Sequence, residues 1–293
     1  MATSFDTFLQ QAWVDHADHA EAVALRLRSE TPTPESGQQL GALAQIVVHV
    51  CGEHLGAFAD GRWRLAALAG HPLADTTVQA TLRVGTAALT LAESGQAERQ
   101  SFTPEEVIRS DASAAAICLG RKETGRAMAF LGAARERLAA LPSAGAAIHR
   151  PVAIACNNLT WELHGRGDAR SAEGTEAMLD AAAASKLHWS HAGTWLEVER
   201  ADYGLALCHV SAGNAEQAVE FAQQCLASCE QHDASPYEHF FAHEALARAL
   251  HACGDAAGRA LHVAAAEAEF AKLAAKDQDR CREALANLKA LGP

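Results

Sequence analysis

With 293 residues, 49% of them hydrophobic and 20% charged, the chain has a globular composition and enough length for one large or two ordinary domains. Aromatic residues make up 5%, and Ala and Leu dominate the apolar set, which points to closely packed helices and an all-α fold. The formal net charge of −12 argues against the basic face that nucleic acid or an anionic membrane requires.

Val and Ile never alternate with period two, so no strand is expected. MATSFDTFLQ lacks the basic and apolar regions of an export signal, and no apolar run reaches the roughly 18 residues of a membrane span. A cytoplasmic chain is therefore expected. The eight cysteines stand at 51, 118, 156, 208, 225, 229, 253 and 281, with no C-x-x-C pair, which suits free, buried thiols. Cys225 and Cys229 share a helix face, but two thiols alone make a poor metal site.

In chain order, 5–28 reads as helix, broken near 15–19. Pro32 and Pro34 separate it from a long helix over 38–58, which Asp60-Gly61 should end. RWRLAAL (62–68) starts a short partner, stopped by Gly70 and Pro72. A helix over 76–94 ends at Gly95. In SFTPEE, Thr103 is the N-cap, Pro104 the first position and Glu106 the return half of a capping box. Helices to about 119 and over 123–141 follow, then a break at Pro142 and Gly145. The helix 146–165 holds Pro151, expected near its first turn. HGRGDARS is a loop, 172–185 a short helix and KLHWSHAG (186–193) an irregular link. Helices over 195–212, 214–231, 236–252, 256–274 and 277–291 complete the chain. No connector is long enough to mark a domain boundary, so one continuous helical array over 1–293 is expected, with less regular pairs over 1–145 and clearer ones over 146–293, the last helix capping the stack.

Glu199–Cys229 sets a register. With Gly213 at a turn, Leu205-Ala206 falls on a paired small-residue position, and Ala218 opens the second helix of the pair. Gly254 and Gly167 take the same role for Leu246-Ala247 and Leu159-Thr160. In these positions the stretch 150–270 resembles the tetratricopeptide repeat, W-x2-L-G-x2-Y, a turn glycine and A-x3-F. It departs at Asp202, His209 and Ala222, which occupy the Trp, Tyr and Phe positions, and its turn glycines are further apart than the family's period of about 34. The resemblance implies a right-handed superhelical stack of antiparallel helix pairs, an α-α solenoid whose first helices line a concave surface. That surface should carry Ile154, Asn157, Trp161 and His164, then Arg200, Tyr203 and Leu207, then Phe241, Glu244, Arg248 and His251.

Several side chains admit two readings. Asn157 and Asn158 are costly inside a helix, which suggests a hydrogen-bonding role toward a ligand or a neighbouring helix. Glu244 and Arg248 form an i,i+4 pair in the favourable order. Arg200 and Tyr203, with Glu197 and Glu199, crowd one helix with polar groups, as a site or as a solvated face. His239 and His243, one turn apart, have the spacing of helical metal ligands, but the sequence is not H-E-x-x-H. A third ligand would have to be Asp202, His188 or His191. Asp202 and His243 hold equivalent positions in the resembled repeat, so they either share a buried hydrogen bond or, with the register off by one, both face solvent. DHADH (15–19), with two His three apart and two Asp, reads as an exposed helix break, with metal binding as the alternative. There is no phosphate loop and no G-x-S-x-G, and no catalytic set is indicated.

The expectation is a non-enzymatic scaffold that binds a peptide or protein partner on its concave face, through Asn157, Trp161, Arg200, Tyr203, Glu244 and Arg248. No cofactor, metal, nucleic acid or membrane is expected. The alternative is a metal- or small-molecule-binding protein, or an enzyme, using His239, His243 and Asp202 in a closed pocket. Self-association as a homodimer is a third reading.

Overall fold

Fourteen α-helices and no strand make up the described residues, 4–141 and 143–291, of the computed structural model. Contacts divide the chain into two compact units, Met1–Ala155 and Cys156–Pro293. The division falls inside a helix, where there is no linker.

The first unit contains α1 (Phe5–Asp15), α2 (Ala20–Ser29), α3 (Gly37–Val48), a π-helical turn (His49–His54), α4 (Phe58–Ala69), α5 (Thr76–Ser94), α6 (Pro104–Gly120), α7 (Thr124–Ala139) and the start of α8 (Ala146–His164). Where the local chemistry is strong, the helix ends fall where the sequence puts them. Gly95 closes α5 at φ 81°, and Thr103 and Glu106 form both halves of the capping box on α6. DHADH does break the helix, since it joins α1 to α2.

In this unit three expectations are corrected. The long helix over 38–58 widens into the π-helical turn, and Gly56 at φ 62° redirects the chain. Asp60-Gly61 is not a break; it lies in the first turn of α4, where an acid suits the helix dipole. Gly61 is small because a Cβ there would lie 2.8 Å from Leu89 Cδ1. Pro151 is the sixth residue of α8, inside the helix, so the Ala147 carbonyl lacks its usual helical donor. Pro142, the expected stop, lies outside the described residues.

The π-helical turn packs on α2, α3, α4 and α6. Its close approach to α6 depends on Gly120, where a Cβ would sit 2.7 Å from Glu53 Cβ and 3.0 Å from its carbonyl oxygen. Leu40, Ile46, Leu89, Ile108 and Ile117 fill the surrounding core. Buried Asp111 is held between Arg99 at 2.5 Å and Arg137 at 2.8 Å.

The second unit takes the end of α8, a 3-10 turn (Gly167–Ala169), α9 (Ala172–Ala192), α10 (Trp195–Ser211), α11 (Ala215–Gln231), α12 (Pro236–Ala252), α13 (Ala256–Lys272) and α14 (Ala275–Lys289). The expected link at 186–193 is instead the last part of α9, with His188 and Trp189 buried; the helix stops at Gly193. From α9 to α14 each helix packs on the next, and α10 also packs on α12, and α12 on α14. Alanines permit this closeness: Ala206, Ala218, Ala222, Ala245 and Ala249 are fully buried in one cluster across α10, α11 and α12. Gly213 and Gly254, both at φ 77°, close α10 and α12. At the first, Asn214 N–H donates to the His209 carbonyl and Gly213 N–H to that of Val210, the Schellman pattern that needs a left-handed residue.

Candidate functional site

On α10, residues 200, 203 and 207 share a face at helical spacing, as do 238, 241 and 244 on α12. The outer parts of these faces, with Asn157 and Trp161 of α8, Ser235 at the cap of α12, and Asp277 and Arg280 of α14, enclose a cleft of about 680 Å3 in the second unit. Its aromatic lining forms a chain of contacts. Trp161 and Tyr203 ring centres are 6.2 Å apart, Tyr203 and Phe241 5.6 Å, and Tyr237 and Phe241 5.0 Å.

The polar groups are held in place. Arg200 donates through Nη2 to Glu238 Oε1 at 2.5 Å, and Glu238 raises the Arg200 pKa. Tyr203 Oη donates to Glu244 Oε2 at 2.8 Å, and Arg248 Nε donates to Glu244 Oε1 at 2.7 Å. Burial, together with the Glu244 carboxylate, pushes the Tyr203 phenol well above its ordinary range, so it remains a donor. Trp161 Nε1 donates to Asn157 Oδ1 at 3.2 Å, so the hydrogen-bonding role of Asn157 is at least partly to orient its own helix's tryptophan.

Glu199 is the least ordinary group in the cleft. It lines the cavity yet is 1% exposed. Cys225 and Cys229 donate to its Oε1 at 2.8 and 3.5 Å, while Oε2 is buried without a hydrogen-bond partner. Burial raises its pKa; the Cys225 thiol opposes this and the charge of Glu238 adds to it. Oε2 is thus a polar atom at the cleft wall with its hydrogen-bonding capacity unused.

Of the residues singled out in the sequence, Asn157, Trp161, Arg200 and Tyr203 line the cleft, and Glu244 and Arg248 lie directly behind Tyr203. Ile154 lines a cavity of the first unit instead. The expected Asp202–His243 bond is replaced by other partners. Asp202 pairs with Lys186 of α9 at 2.5 Å, and the His243 ring meets His262 of α13 at 3.1 Å. Asp202 meets the helix before α10 and His243 the helix after α12, so the equivalence expected from the sequence pattern does not bring them together. Burial, with His262 and His239 nearby, lowers the His243 pKa to about 4. Among the described residues, His239 and His243 find no third ligand at metal-binding distance. Asp277 and Arg280 were not expected, because α14 reads only as a capping helix; their i,i+3 spacing on its first turns is the sole signal.

No family model, curated protein or solved structure matches this chain. No helix among the described residues is long and apolar enough to cross a membrane.

Proposed function

We propose that the second unit is a tetratricopeptide-like stack of helix pairs that binds a short extended segment of a protein partner. The supporting observation is the origin of the cleft lining: α8, α10, α12 and α14, alternate helices in the chain, together with the N-cap of α12. That is the arrangement in which first helices of successive pairs present one ligand surface. The cleft's volume and mixed aromatic and polar lining suit a few residues of peptide. Trp161, Tyr203 and Phe241 would take apolar side chains. Arg200 and Arg280 would meet a carboxylate, and Glu199 Oε2 would bond the main chain.

Selection from a random peptide display library tests this. Wild-type protein should enrich a family of peptides carrying an apolar residue and an acid. Trp161→Ala and Arg200→Ala, each confirmed folded by melting, should not retain them. No enriched family, or peptides held equally by both variants, would contradict the proposal.

A further inference from the structure

The π-helical turn places two histidines in an arrangement that an α-helix forbids. On an α-helix, residues five apart point about 140° away from each other. The wider turn, with Leu55 N–H bonded back to the Val50 carbonyl, brings residues 49 and 54 side by side. His49 Nε2 and His54 Nε2 are 3.1 Å apart. His16, which caps α1, completes a triangle; one ligand nitrogen from each of the three rings lies within 4.8 Å of the other two.

The far sides of two rings are already anchored. His16 Nδ1 is 2.6 Å from the Trp13 carbonyl and His49 Nδ1 is 2.8 Å from Glu53 Oε1. Both acceptors favour the Nδ1–H tautomer, which puts the lone pair of each ring on Nε2, and His49 Nε2 already faces His54 Nε2. A carboxylate or carbonyl behind a ligating histidine is the usual outer shell of a metal site. Tetrahedral zinc, with Zn–N near 2.0–2.1 Å, sets its nitrogens about 3.3 Å apart, close to the His49–His54 separation. Isolated π-turns inside helical proteins occur often at functional sites.

We propose that His16, His49 and His54 form a mononuclear zinc site, with Glu53 as the positioning residue behind His49. Three protein ligands leave the fourth position for water or an anion. That position has somewhere to open: Trp13, His49 and Glu53 line a cavity of about 370 Å3, which Arg109 also lines. The site lies wholly in the first unit and is independent of the peptide cleft.

The full chain, stripped with a chelator, should bind one equivalent of Zn2+ by calorimetry. Co2+ in its place should give the intense visible d–d bands of tetrahedral cobalt. Glu53→Gln should weaken zinc by about 10- to 100-fold, and His16→Ala or His54→Ala by more, with loss of the cobalt bands. His239→Ala should change neither. His54→Gln, which keeps the packing volume, serves if the alanine variant melts early. Failure of the wild type to bind zinc, an octahedral cobalt spectrum, or unchanged binding in the His16 and His54 variants would overturn the proposal.

Discussion

Two carboxyl groups, each 1% exposed, are accommodated in opposite ways. Asp111 keeps its charge company with two guanidinium groups, whereas Glu199 faces two thiols and has a raised pKa. The first arrangement is structural. Asp111→Ala takes the carboxylate from Arg99, whose side chain is only 19% exposed and keeps just the neutral acceptors Ser110 Oγ and the Val107 carbonyl, while Arg137 can turn to water. The variant should lose about 3 kcal/mol by urea denaturation, the low end for breaking a buried pair. His243 supplies a pH signature. Its folded pKa, about 4, is below the ordinary 6.5, so the fold favours the neutral ring. Its contribution is therefore fully present above pH 6.5 and lost as pH falls toward 4. His243→Gln should flatten the pH dependence of stability across that window relative to the wild type. Parallel curves would show that the ring is freely hydrated.

At the scale of elements, the helices form where periodicity and capping agree, and the departures have local causes. Helix α9 continues over 186–192 because His188 and Trp189 turn inward, which a count of polar and aromatic residues cannot reveal. Alanine is the packing device of the second unit. Ala222 occupies a position where the tetratricopeptide pattern has Phe, yet here it is fully buried against α10 and α12. Ala222→Phe should cost about 1–3 kcal/mol by overpacking. A gain in melting temperature would mean that α10, α11 and α12 stand further apart. The cleft residues Asn157, Trp161, Arg200 and Tyr203 were legible because the turn glycines 167, 213 and 254 fix the helix register. The partners of Asp202 and His243 were not, since spacing along the sequence does not say which neighbouring helix a side chain faces. The histidine triangle was less legible still. It joins stretches 33 residues apart, and a π-turn has no sequence signature that distinguishes it from continued α-helix.

For the whole molecule, charge and cleft lead to separate expectations. A net charge of −12 should prevent retention on duplex DNA or on anionic vesicles at about 0.15 M salt, where exposed charges more than about 8 Å apart are screened. A gel-shift assay and vesicle flotation would check this, and binding that weakens steeply with salt would contradict it. The central claim is that the lining on alternate helices of the second unit recognises a peptide. Its most direct test is the calorimetric affinity of one library-selected peptide for wild type, Arg200→Ala and Arg282→Ala. Arg282 lies on α14 outside the cleft and pairs only with exposed Asp279 among the contacts seen. Arg200→Ala should weaken binding by about tenfold or more, the equivalent of 1.4 kcal/mol or more, while Arg282→Ala leaves it unchanged. Equal affinities for all three proteins would contradict the account.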